Sequence, residues 1–433
     1  MKTKAVRLYG VKDLRLEAFE LPEIRDTEIL ARVESDSICM SSHKLALQGE
    51  AHKRVRHDLS KNPVIIGHEF CGTILQVGAK WKDAFKAGTK FAIQPALNYP
   101  GPPEPDGTPG PGTLWAPGYS YPYIGGDATF IIIPSEVMEM GCLLDYPGDT
   151  FYLGSLAEPV SCIVGAFHAQ YHTQGGSYVH RMGIVEGGSL VLLAGAGPMG
   201  LGAIDYAIHN PRRPSRLVVT DIDDARLARA QQLLSPETAA RQGVELIYRN
   251  TNALADPRAS LIALNQGKGY DDVFVFAPVR QVIELGDALL GTDGCLNCFA
   301  GPTDPSFSAA CNFYHIHYEA HHLVGTSGGN TEDLKEALAM MAQGVINPVF
   351  MVTHIGGLNA VPQTTLRLDA IPGGKKLIYT HKNLELTAIA DFAEKGRTDP
   401  FYAHLAELCQ AHQGLWNQAA EAYLLEHAPA IDP

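Results

Sequence analysis

Two rhythms of apolar spacing divide the chain. From residue 1 to about 160, short β-branched runs such as "EILARVESDSIC" and "FIIIP" are punctuated by glycine and proline, which predicts strands and few helices. Near residue 160 the rhythm changes. "LVLLAGAGPMGLGAIDYAIH", "RLVVTDIDDARLARAQQLL", "VELIYRN" and "YDDVFVFAP" alternate fully apolar strand runs with helix-length segments. Strands apolar on both faces are covered on both faces, so the pattern predicts a doubly wound parallel sheet over 165–345. Strand-and-turn spacing returns in "PVFMVTHIGGLNAVP" and "GGKKLIY", so residues 346–381 are expected to rejoin the first domain, 1–164. Residues 382–433 carry amphipathic helical spacing and read as a C-terminal helical appendage. Residues 98–118 contain seven prolines and predict an irregular surface loop.

Composition narrows the function. With 45% apolar and 19% charged residues in 433, the chain is ordinary for a globular enzyme of two large domains. A net charge of −13 opposes binding to nucleic acid or an anionic membrane. No apolar run is long enough to span a bilayer, and the first residues lack a signal-peptide core, so a cytoplasmic protein is expected. Eight scattered cysteines suit buried thiols better than a disulfide framework, and the close pair Cys295 and Cys298 lies on a strand-like run.

Chemistry enters at two places. Gly195, Gly197 and Gly200 have G-x-G-x-x-G spacing between an apolar strand and a helix, a turn that brings backbone N–H groups to a dinucleotide pyrophosphate. Asp221 ends the next strand, where a carboxylate accepts from ribose hydroxyls and repels a 2′-phosphate. NAD(H) is therefore expected, with Arg226 keeping NADP(H) open. The expected cofactor contacts are Gly195, Gly197, Pro198, Met199, Gly200, Asp221, Ile222, Arg226, Ala277, Ala300 and Thr326. The other place is discontinuous: Cys39 ends "ARVESDSIC", His68 and Glu69 follow "VIIG", and Glu158 lies in "GSLAEPVSC". Cys, His and Glu from three segments suit a zinc with an open fourth position. Singly, each has a plainer reading: a buried thiol, a core histidine, a helix start at Glu158-Pro159.

Taken together, "SIC-x-S", "GHE-x-x-G", "LAEP", "GAGPMG" and "GGKKLIY" resemble the zinc-dependent medium-chain dehydrogenase superfamily in its sorbitol dehydrogenase-like branch. The resemblance implies a GroES-like catalytic domain and a Rossmann domain. It also implies a catalytic zinc approached by Cys39, His68 and Glu158, Glu69 beside it, proton relay through Ser41, and a homo-oligomer, dimer or tetramer. Many members hold a second, structural zinc on four cysteines, but residues 72–141 contain one cysteine-free, proline-rich stretch instead, so one zinc is expected. Where the family commonly has a histidine three residues after the relay serine, this chain has Lys44, with His43 one position early. Lys44 either relays the proton or faces an anionic substrate.

Over the whole chain, including "GRTDPFYAHLAELCQAHQGLWNQ" and "HKRVRHDL", the sequence is similar to the bacterial L-sorbose 1-phosphate reductases. That similarity implies interconversion of L-sorbose 1-phosphate and D-glucitol 6-phosphate. A sugar phosphate needs cations, and Lys44, Lys53, Arg54 and Arg56, flanked by His52 and His57, are the densest supply. "HIHYEAHH" (His315, His317, His321, His322) lacks a matching carboxylate or cysteine for a second metal. Another polyol dehydrogenase, or a catalytically silent dinucleotide-binding protein of this fold, are the competing functions. Retention of all four of Cys39, His68, Glu69 and Glu158 argues against the silent one.

Overall fold

A computed structural model describes residues 1–55, 58–97, 115–175 and 177–432. Most of the proline-rich stretch, and Arg56 and His57, lie outside the described residues. The chain forms two compact units, one of residues 1–158, 330–338 and 352–433, the other of 159–329 and 339–351. No described helix is long and apolar enough to cross a membrane.

The first unit is built on strand Ile29–Ile38, buried along nearly its whole length. It pairs antiparallel with Cys71–Val77, Lys375–Tyr379 and Phe130–Ile133 in an eight-stranded sheet. Register does the positioning. Ser35 opposes Cys71, which brings Ser37 alongside Glu69, and Lys376 opposes Ile38, which brings Lys375 to the strand end where Cys39 follows. Apolar side chains including Ile29, Ala31, Val33, Phe70 and Phe91 fill one core of this unit. The C-terminal segment, with helices Pro400–Gln410 and Gln418–His427, belongs to the same unit and buries Trp416.

Glu158-Pro159 is not a helix start. A helix runs from Phe151 to Ala169 with Pro159 inside it. Proline removes one N–H, and the helix continues because its flanks are packed: Gly154 has no room for a Cβ beside Cys71, and Ser155 Oγ lies 3.1 Å from Ser35 Oγ. Burial rather than propensity sets this helix.

The second unit holds a six-stranded parallel sheet in the order Glu245–Asn250, Arg216–Asp221, Ser189–Leu193, Tyr270–Val275, Leu290–Cys298, His322–Gly325. Chain order reverses between Ser189–Leu193 and Tyr270–Val275, the crevice at which open α/β sheets bind nucleotides. Every residue of Ser189–Leu193 is buried, as its unbroken apolar run requires.

Candidate active site

Cys39 leaves strand Ile29–Ile38 in extended geometry and opens helix Met40–Gln48, its carbonyl accepting from Ser42 N and His43 N. His68 and Glu69 follow Gly67, whose φ of +90° favours glycine and whose missing Cβ leaves space for Asp36 and the Asp127 backbone. Asp36 Oδ1 then accepts the Glu69 N–H at 3.0 Å. These constraints bring donor atoms of Cys39, His68 and Glu69 within 4.8 Å of one another, the one such cluster of three among the described residues. The histidines from 315 to 322 form no metal cluster there, and His322 Nε2 instead pairs with Asp293 Oδ1 at 2.7 Å.

Within the cluster, Ser41 Oγ is 3.0 Å from Cys39 Sγ and 3.4 Å from His68 Nε2, and Ser42 Oγ is 3.3 Å from His68 Nδ1. Glu69 is engaged on both oxygens: Ser37 Oγ donates to Oε2 at 2.5 Å and Lys375 Nζ to Oε1. Glu158 lies outside the 4.8 Å set, yet it interacts electrostatically with His68, Glu69, Cys39 and Lys375.

Charge is crowded here. Burial alone pushes Glu69 up, but Lys375 and His68 hold it below the usual carboxylate range. Burial pushes the Glu158 carboxyl up to about 8, with Glu69 and Cys39 adding to the effect of burial. It also raises the Cys39 thiol, with Glu69 contributing. Lys375 and His68 face three acidic groups, and burial favours the neutral forms of Cys39 and Glu158. A divalent cation would deprotonate thiol and carboxyl together, and thiol, imidazole and carboxyl are zinc's donor types, so these residues fit zinc. Glu69 already takes Lys375 and Ser37, which suits the position beside the metal.

Two residues of this site escaped the sequence reading as ligands. Lys375 was visible only as part of "GGKKLIY", 306 positions from Glu69. Tyr119 carried no signal at all. Its hydroxyl lies 3.2 Å from His68 Nε2, and its ring lies 4.8 Å from the His68 ring. On its other sides, His52 stacks at 5.7 Å between centroids and the Arg54 guanidinium sits 5.1 Å from the ring centre. Burial, then Arg54, Lys53, His68 and Lys44, push His52 down to about 4, so these cations share one neighbourhood. Lys44, half-buried on helix Met40–Gln48, is lowered by burial, with Lys53 adding to it. His43 is buried and donates through Nδ1 to Thr365 O at 2.7 Å, which withdraws it from proton transfer.

In the second unit, Gly197 caps helix Pro198–His209 with Pro198 in its first turn, and a Cβ on Gly200 would overlap the Gly195 backbone. Met199 lies in that first turn. Asp221 ends its strand beside this turn: Oδ2 accepts Ala196 N at 3.3 Å, and Oδ1 accepts Ile222 N at 2.9 Å. Arg226 pairs with Asp223 at 3.8 Å and Ile222 is exposed. Ala277, Ala300 and Thr326 follow the carboxyl ends of strands Tyr270–Val275, Leu290–Cys298 and His322–Gly325. All eight cysteines are free thiols, with Cys295 Sγ donating to Gln170 Oε1.

The family model of the alcohol dehydrogenase GroES-like domain matches residues 25–140. Among similar proteins, the uncharacterized protein YggP of Escherichia coli (strain K12) is 54% identical over 98% of this chain and 97% of its own. A mannitol-1-phosphate 5-dehydrogenase of Aliivibrio fischeri is 52% identical over 98% of each chain. An L-sorbose 1-phosphate reductase of Klebsiella pneumoniae is 49% identical over 99% of this chain and 98% of its own. The fold is that of the crystal structure of 2R,3R-butanediol dehydrogenase from Bacillus subtilis, which superposes with a TM-score of 0.68 at 20% identity over 87% of this chain and 99% of that one.

Proposed function

The chain belongs to the zinc-dependent medium-chain dehydrogenase superfamily, and from that premise we propose that it is a polyol-phosphate oxidoreductase that reduces L-sorbose 1-phosphate to D-glucitol 6-phosphate. The observation that carries the reading is that Arg54 and His52 flank Tyr119, whose hydroxyl reaches His68, with Lys44 and Lys53 near enough to His52 to act on its charge. Burial first, and then these neighbouring cations, disfavour the charged form of His52, and in a chain of net charge −13 such a local group of cations suits an anion.

Cys39, His68 and Glu158 would hold one zinc, and no second, structural zinc is part of this reading. When bound, zinc supplies Lewis-acid polarisation of the substrate oxygen and a reduced nicotinamide supplies the hydride. The remaining work falls to the chain. Lys375 and Ser37 keep Glu69 ionised and oriented. Ser41, within reach of Cys39 and His68, is the group that passes a proton to the oxygen at C2, and Lys44 extends that path or holds the phosphate. Lys53 and Arg54 complete the cationic group, and Arg56, outside the described residues, is a further candidate for the phosphate from the sequence. NAD(H) is the preferred cofactor in this reading because of Asp221. The reading includes the cytoplasm as its place and a homo-oligomer as its working form.

A second reading has its own support in the 52% identity to the mannitol-1-phosphate 5-dehydrogenase. The two differ in where the phosphate stands. In L-sorbose 1-phosphate it is on the carbon next to the reacting C2, whereas a 5-dehydrogenase of mannitol 1-phosphate reacts four carbons away. A single tyrosine ring between Arg54 and His68 favours the shorter spacing. The test is NADH and NADPH oxidation with L-sorbose 1-phosphate and L-sorbose, set beside NAD reduction with D-mannitol 1-phosphate. The account expects the highest kcat/KM for L-sorbose 1-phosphate with NADH. Higher efficiency on mannitol 1-phosphate moves the assignment to the second reading, and equal efficiency on sorbose with and without phosphate removes both.

A further inference from the structure

We propose that Glu421, in the C-terminal helix Gln418–His427, is a positioning residue for the metal centre: it ties the helix that carries Glu158 to the strand that carries Lys375. The proposal rests on the reading of Glu158 as a zinc ligand. The first N–H groups of any helix lack partners within it. In helix Phe151–Ala169 those of Phe151 and Tyr152 are taken by Glu421, through Oε2 at 2.8 Å and Oε1 at 2.9 Å, from about 270 residues along the chain. The same Oε1 accepts the Tyr379 hydroxyl at 2.9 Å, and Trp416 Nε1 donates to that hydroxyl at 2.7 Å. Glu421, Tyr379 and Trp416 are all buried, so water does not substitute for these bonds.

The same helix and strand carry interacting groups at the metal end. Glu158 follows Phe151 by seven residues, two helical turns and about 10 Å on the same face. Lys375 precedes Tyr379 by four residues, about 13 Å on the same face of strand Lys375–Tyr379. Helix and strand are thus tied at one end by Glu421, while at the other Lys375 bonds Glu69 and Glu158 lies near enough to both to interact electrostatically. Sliding or rotating the helix to relieve the first contact displaces Glu158 at the second. The appendage therefore sets ligand geometry, beyond covering apolar surface.

The experiment measures zinc transfer from the intact protein to a chromophoric chelator, with thermal unfolding in parallel, for Glu421→Gln, Glu158→Gln and the double variant. A glutamine turns an N–H toward one of the two backbone donors. Glu421→Gln is expected to weaken zinc retention roughly tenfold, the low end for residues that orient a ligand from outside the coordination shell. In the Glu158→Gln background the same change is expected to add nothing, because coupled residues are non-additive. Wild-type retention in Glu421→Gln, or an equal loss in both backgrounds, overturns the positioning role while leaving Glu158 a ligand. Wild-type retention in Glu158→Gln overturns the ligand reading and the inference with it. Should Glu421→Gln not fold, Tyr379→Phe keeps both backbone contacts, and a smaller loss of zinc retention is expected; none overturns the proposal.

Discussion

The turn at Gly195–Gly200 and the cluster at Cys39, His68 and Glu69 solve opposite problems. The turn is six consecutive residues whose working atoms are backbone N–H groups, and its one nearby carboxylate, Asp221, is satisfied by backbone donors. The cluster draws on residues from 37 to 375 and buries more acidic groups than it has cations for, leaving Cys39 and Glu158 pushed toward their neutral forms. A site made of backbone is finished once the chain folds. A site made of buried charge is finished only when a cation arrives, so its residues are coupled to one another in stability as well as in function.

That contrast can be broken by experiment. Cys39→Ser should cost the most, about a thousandfold or more in kcat/KM, because it removes a proposed metal ligand and with it several kcal/mol of charge stabilisation. NADH affinity, followed by fluorescence titration, should stay as in the wild type; joint loss of both would mean the two sites are not separable. Lys375→Met comes next. It strands a buried carboxylate, and removing one partner of such a pair costs about 3–5 kcal/mol, read as a lower denaturant midpoint. A midpoint within error of wild type would show that Glu69 has another cation.

Arg54→Ala sharpens the substrate side of the comparison. A charge-assisted hydrogen bond is worth roughly 1.5–3 kcal/mol, so KM for the phosphorylated ketose should rise about ten- to a hundredfold while that for L-sorbose stays unchanged. Equal losses on both substrates would make Arg54 a support for Tyr119 alone. The smallest effect is a titration. His52 should titrate near pH 4 in the free protein because burial and neighbouring cations disfavour its charge. Inorganic phosphate binding among those cations adds negative charge beside the ring, so the pKa should move up, an imidazole shift readable by NMR. An unmoved His52 would take the phosphate away from this group.

The difference between the two regions also explains what was legible beforehand. The parallel sheet, the glycine turn and Asp221 were readable because strand, turn and helix follow one another within about thirty residues. Cys39, His68 and Glu69, which the structure brings together, could be raised as zinc-type donors from their residue types, but only the resemblance preferred that reading to the plainer ones, since nothing in their local spacing links Cys39 to the other two. Lys375, Tyr119 and Glu421 were not readable in role, because their partners lie 306, 51 and about 270 positions away and are brought near by strand register and helix packing. Pro159 misled for a related reason: its local preference for a helix start yields to the packing of Gly154 and Ser155.

Zinc content of purified, active protein, measured by plasma mass spectrometry against protein concentration, bears most directly on the account. The buried cluster with its unbalanced acidic groups predicts one zinc per chain, and its loss from Cys39→Ser. Two zinc ions per chain, or full activity with none, would contradict it.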